Sequence, residues 1–187
     1  MAGVIPREIV DAITDCCRGC ESTDAVRIAD RLMELEEVRM HGPEHHYLTA
    51  AAILTAYCNF YHMEKKSILV KAYVRTNIIP VGVCAMYGCC GALMGAGAAA
   101  GILLLAHPFS AGDLRTVNQI TADIQSRLAE YGGPRCCKRA VRISVYEAVQ
   151  GMNRYMGCRL PAAMLDCTFY PGNKGCMGKK CEFFVPG

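Results

Sequence analysis

Thirteen cysteines punctuate this 187-residue chain, and most fall in four tight groups. These are Cys16-Cys17-x-x-Cys20, Cys84-x4-Cys89-Cys90, Cys136-Cys137 and Cys167-x8-Cys176-x4-Cys181; Cys58 and Cys158 stand apart. A chain of this length buries enough apolar surface to fold without covalent staples. The odd cysteine count also argues against a full set of structural disulfides. Two chemistries then compete for the thiols: thiolate ligation of metal, and cycling through disulfides.

Cys90 precedes a Gly-Ala run and is expected at a helix N-terminus, where the dipole and free N–H groups favour a thiolate. Gly132-Gly133-Pro134-Arg135-Cys136-Cys137-Lys138-Arg139 repeats the device with three cations nearby. Positive charge there is expected to lower the thiol pKa further. Against these readings stand blander ones: small buried residues at a tight helix crossing, and a basic helix start with incidental cysteines. Cys167, Cys176 and Cys181 lie in a tail rich in Gly, Pro and Asn. Metal ligation would supply the energy such a tail lacks, since binding free energy becomes folding free energy. Its spacing fits paired structural-zinc motifs poorly and misses the ferredoxin runs.

His41-Gly42-Pro43-Glu44-His45-His46 matches the letters of an H-x-x-E-H zinc motif. That motif needs both histidines on one continuous helix, and Pro43 places His41 outside the helix that follows. His41, His45 and His46 are better read as residues around a centre, able to add ligands, deliver protons or hydrogen-bond its ligands. A helix-start histidine pair that only caps and packs is the alternative. Cys16-Cys17-x-x-Cys20 lacks the strand-helix context of a thioredoxin motif. Cys58, Cys158 and the ten methionines read as core.

The elements that must position these groups are helical almost throughout. Pro6 can open the first helix, and Ser22-Thr23-Asp24 can cap a second carrying Ile28, Leu32, Leu35 and Val38. Gly42-Pro43 breaks that helix and opens a third through Leu48, Ala52, Leu54, Tyr57 and Phe60. A fourth runs from about Glu64 to Arg75. Residues 79–88 read as a loop or broken turn carrying Cys84. Helix resumes near Cys90, with glycines at 91, 95, 97 and 101; each mid-helix glycine costs about 1 kcal/mol, so close approach of a backbone or cofactor is expected. Pro108 ends it, Ser110 or Asp113 caps the next to about Tyr131, and Pro134 opens the last. The fold class is all-α: a compact multi-helix bundle with an irregular cysteine-rich C-terminal tail. One domain is expected over residues 1–187, with N-terminal helices (1–40), a core bearing the cysteine motifs (41–157) and a tail packed on it (158–187).

Composition narrows the setting. A net charge of +3 gives no case for nucleic acid or an anionic membrane. No secretory h-region precedes the first charges, so the cytoplasm is expected. Residues 76–106 lack Asp, Glu, Lys and Arg, long enough to raise a membrane span, but Pro80 and the glycines interrupt them. A buried central helix is the expectation there.

Taken together, His41-Gly-Pro-Glu-His-His46, Cys84-x5-Cys90-Gly-Ala-x-x-Gly95-Ala-Gly97, Gly132-Gly-Pro-Arg-Cys-Cys-Lys-Arg139 and the Asn173/Cys176/Cys181 tail resemble an uncharacterised cysteine-rich domain family of anaerobic archaea and bacteria. Some of its members are joined to methyltransferase or radical-SAM-type modules. The Cys-Gly-Ala-x-x-Gly core is also similar to the helical redox proteins named for a C-GCAxxG-C-C motif. The resemblance spans about residues 39–183 and implies a helical fold with redox or iron–sulfur chemistry. Cys89 is not part of the pattern.

The leading expectation is therefore an iron–sulfur protein, such as a 4Fe-4S protein, that passes electrons or sulfur to a partner redox, methyltransferase or radical-SAM-type enzyme. Cys84, Cys90, Cys136, Cys137, Cys167, Cys176 and Cys181 would ligate around one buried site. Arg135, Lys138 and Arg139 would offset its negative charge, with His41, His45 and His46 alongside. The alternatives are a metal-free thiol–disulfide protein using Cys90 with Cys136 or Cys137, and a structural zinc-binding interaction module. The glycine-lined helix can pack within one subunit or across a homodimer.

Overall fold

The computed structural model describes residues 4–186. Among them are eight α-helices, two short 3-10 turns and no strand. They are α1 (Arg7–Gly19), α2 (Ala25–Met33), α3 (Glu44–Phe60), α4 (Lys66–Thr76), α5 (Val83–Tyr87), α6 (Gly91–Leu103), α7 (Ala111–Ala129) and α8 (Cys137–Tyr155). The all-α expectation holds.

The bundle is built around α3. Its run Tyr47–Ala56 is buried on every side, as a helix apolar all round must be. It packs against α1, α2, α4, α6 and α8. The central position expected for the uncharged segment is thus held by α3, with α6 laid along it. The glycines of α6 explain that fit. A Cβ at Gly91 would overlap the His46 ring, and one at Gly95 would overlap the His46 carbonyl. The expected close approach is that of α3. No helix among the described residues is long and apolar enough to cross a membrane.

Three boundaries differ from the sequence reading. α2 stops at Met33, short of Leu35 and Val38, where the Lys138 ammonium takes the Met33 carbonyl at 2.9 Å. A cation at a helix C-terminus satisfies orphan carbonyls and complements the dipole. α5 gives residues 83–87 one short helical stretch between left-handed Gly82 and Gly88, a conformation that suits glycine. α8 begins at Cys137 with Cys136 as its N-cap, three residues beyond Pro134.

The tail is irregular apart from its 3-10 turns, Tyr170–Gly172 and Gly178–Lys180. Burial and charge hold it more firmly than composition suggests. The Arg142 guanidinium is buried, lies against the rings of Phe169 and Phe183, and pairs with Asp30 at 2.5 Å. Cys167 N donates to Phe183 O at 2.7 Å, and Arg127 and Tyr131 both reach Glu182. Tail order therefore does not rest on ligation alone.

Candidate functional site

The start of α8 stands between two spaces. The larger is a cavity of about 430 Å³, lined by Cys84, Cys90, Cys136 and Cys137 together with His41, His45 and His46. The smaller, about 20 Å³, is lined by Cys136, Cys167, Cys176 and Cys181. All seven expected thiols thus border one space or the other, and Cys136 borders both. They do not surround one common volume. No three His, Cys, Asp or Glu side chains among the described residues already converge as around a single metal ion.

Each cavity thiol is placed by a local device. α5 and its two flanking glycines carry Cys84. Cys90 is the N-cap of α6, as expected, and the amides of Ala92 and Leu93 favour its thiolate. Burial outweighs them and raises its pKa. Cys136 caps α8 as a serine would: its Sγ accepts from Arg139 N at 3.4 Å and from Asn173 Nδ2 at 3.5 Å. Burial raises its pKa too, against the pull of Arg139. Cys137 is pushed up to about 11, again by burial first, although the Gly42 amide and Arg135 favour its thiolate. The neighbouring cations lower both thiols as expected, but loss of water outweighs them.

The cations themselves separate. Arg135 and Arg139 line the cavity. Arg139 also lines the small chamber, donating to Met177 Sδ at 2.7 Å and to Pro134 O at 3.2 Å. Lys138 is turned away from the cavity, to Met33 O and the Phe169 ring. Its burial lowers its pKa to about 8. Arg39 and Arg142 complete the positive walls; no Asp or Glu lines either space.

The histidines divide their work. His41 lies outside α3, as Pro43 requires, and its Nδ1 accepts the Cys137 amide at 3.5 Å. His45 Nδ1 pairs with Gly42 O at 3.1 Å. A carbonyl only accepts, so this bond fixes the proton on Nδ1 and leaves Nε2 as a lone-pair acceptor. That Nε2 is buried and has no partner, and burial lowers the His45 pKa to about 3. His46, lowered to about 4, likewise buries an unpartnered Nδ1. Orphaned buried polar atoms of this kind are uncommon, and others lie at Thr55 and Ser144 away from the cavity. Neutral imidazole, thiols and positive walls fit a thiolate-ligated, anionic centre.

Some contributors escaped the sequence reading. Glu44 is fully buried and takes Arg39 at 2.7 Å; a Cβ at Gly42 would overlap its carboxylate. The Gly-Pro-Glu letters were the available signal. Nothing in the sequence singled out Arg142, one more charged residue on a helix. Cys17, Cys20, Cys58 and Cys158 are buried in the bundle, and neither Cys16 nor Cys89 lines either space.

The chain belongs to a family of unknown function, DUF5714, whose model matches residues 13–184. No curated protein and no solved structure matches it.

Proposed function

We propose that this member of a family of unknown function is an iron–sulfur protein of anaerobic metabolism that passes electrons or sulfur to a partner enzyme. One observation carries the reading: the cavity gathers Cys84, Cys90 and Cys137 with His41, His45 and His46 inside walls that bear cations and no carboxylate. The similarity to the C-GCAxxG-C-C redox proteins points the same way.

The residues have distinct tasks. Cys84, Cys90 and Cys137 would hold the cluster, with His45 alongside. Arg135 and Arg139 would balance thiolate charge, Arg39 being paired with Glu44. The bound cluster would supply one-electron chemistry at a potential tuned by those cations and by N–H groups on sulfur. His41 orients Cys137 through its amide.

Two features favour this over the alternatives. An unassisted thiol–disulfide enzyme needs a thiol of lowered pKa, whereas burial raises Cys90 and Cys137. A metal supplies the charge that removes those protons. A lone zinc ion bound to sulfur at about 2.3 Å would leave most of the cavity of about 430 Å³ unfilled. A cluster, with several irons bridged by sulfide, accepts thiolates standing further apart.

The test is anaerobic purification followed by the visible spectrum and quantification of iron, zinc and acid-labile sulfide. Iron with sulfide is expected, and Cys84→Ser and Cys90→Ser should each lower both. A colourless protein without iron sinks the reading; unchanged iron in both variants refutes the ligand assignment.

A further inference from the structure

We infer that Cys136, Cys167, Cys176 and Cys181 form a metal site of their own, which takes a single thiophilic divalent cation and is separate from the cavity centre. The inference extends the proposed function, which had no need of a second site.

Consecutive residues at the α8 start meet different thiols. Cys136, an extended N-cap, has Cys167 and Cys181 among its electrostatic neighbours, whereas Cys137 has Cys90 beside Cys136 itself. A helix N-cap and its N1 residue differ in backbone conformation, so adjacent cysteines can serve separate centres. The four tail-side thiols come from three places: the α8 cap, the segment paired with Phe183, and the residues either side of the second 3-10 turn. Together they are a complete tetrathiolate set, the commonest way proteins close a structural site.

The space suits one ion. Its volume of about 20 Å³ slightly exceeds what a water molecule needs, about 10–15 Å³, and is far below the 430 Å³ next door. Its sulfurs already attract N–H donors: Arg139 N and Asn173 Nδ2 on Cys136, and Gly178 N on Cys176 at 3.4 Å. Such donors stabilise ligating thiolates. Lys138, Arg139 and Arg142 surround the chamber, and no carboxylate lines it. Ligation at about 2.3 Å draws the thiols inward from where they stand, so the ion tightens the tail. On binding, each thiol gives its proton to solvent and the cation exchanges water for sulfur; no oxidant or reductant takes part.

Cobalt(II) is the probe, titrated into the metal-free, reduced full-length chain. One equivalent with the intense visible bands of a tetrahedral tetrathiolate is expected. Those bands should persist in Cys84→Ser/Cys90→Ser and vanish in Cys176→Ser/Cys181→Ser, with unchanged helical circular dichroism. In parallel, the anaerobically purified cavity variant should keep one zinc or iron per chain without sulfide, and the tail variant should keep sulfide. Loss of all metal and sulfide together in both variants overturns the separate site, as does wild-type cobalt binding without tetrathiolate bands. Metal retained without sulfide in the wild type, and lost only with the tail cysteines, would instead support this site and sink the cluster reading. If the tail variant fails to fold, the wild-type titration and the cavity variant still decide.

Discussion

The imidazole of His46 rests directly on Gly91, the first residue of α6, so closely that a Cβ there would overlap the ring. Cys90 caps that helix, so this glycine sets the spacing between a cavity thiol and a cavity histidine. The crossing of α3 and α6 is fixed here by the absence of one methyl group. Gly91→Ala should expel His46, destabilise the chain by about 1–3 kcal/mol and lower iron content. Gly112→Ala, on α7 with open space where its Cβ would sit, should be neutral or stabilising by up to about 1 kcal/mol. Thermal unfolding of both variants checks the contrast; equal Tm values would refute the packing.

The buried histidines give stability a pH dependence whose sign follows from their lowered pKa values. In the folded chain His45 titrates at about 3 and His46 at about 4, against 6.5 unfolded. Below about pH 6.5 the unfolded chain therefore binds more protons. Stability is present above that pH and is lost as pH falls through the window toward 4 and 3. His41, lowered by burial and by Arg135, adds in the same sense. Asp30 and Glu147, raised by burial, oppose it at the acid end. Urea unfolding of the metal-free chain should show a falling midpoint from pH 7 to pH 5, and His46→Gln should flatten it. A midpoint independent of pH in both proteins would contradict the burial.

These relationships mark what sequence could carry. Periodicity and punctuation located most helices, and the Cys90-Gly91-Ala92 run revealed a capping thiol. Cys136 was placed one turn-position off, because Pro134 suggested an earlier start than Cys137. The burial of α3 is only weakly legible: its small alanines and threonines mark a core helix less plainly than the uncharged residues 76–106 do. The division of thiols between two spaces was not legible. Cys136 and Cys137 are adjacent letters, and their different directions arise from backbone conformation at a helix cap. Charge beside a thiol was legible in Arg135, Lys138 and Arg139, but the loss of water that outweighs it is a property of packing.

Thiol reactivity should separate the core cysteines from those at the tail. Cys176 is exposed, whereas Cys17 and Cys58 are buried with pKa values pushed up to about 12 and about 11. The thiolate is the nucleophile, so both access and pKa slow their alkylation. A short iodoacetamide pulse on the metal-free, reduced chain, read by mass spectrometry, should modify Cys176 first and Cys17 and Cys58 last. Labelling of Cys17 at the rate of Cys176 would contradict its place in the bundle. Cys16→Ser should leave iron and sulfide unchanged, because Cys16 borders neither space.

Arg142 is the tie between bundle and tail. Its guanidinium pairs with Asp30 of α2 at 2.5 Å, donates to Asp166 O at 3.3 Å and lies against Phe169 and Phe183. Removing one partner of a buried pair leaves the other charge uncompensated, at a cost of about 3–5 kcal/mol. Arg142→Met should cost at the low end of that range, about 3 kcal/mol, because Asp30 keeps some access to solvent. The loss should concentrate in the tail around Phe169 and Phe183, while Asn153 with Leu160 and Asp24 with the Ala163 amide hold its start. Limited proteolysis should then cut within residues 158–186 before the bundle opens. Arg142→Met/Asp30→Leu, which removes both charges, should recover part of the loss. A single variant as stable and as protease-resistant as the wild type would show that the tail is held by other contacts.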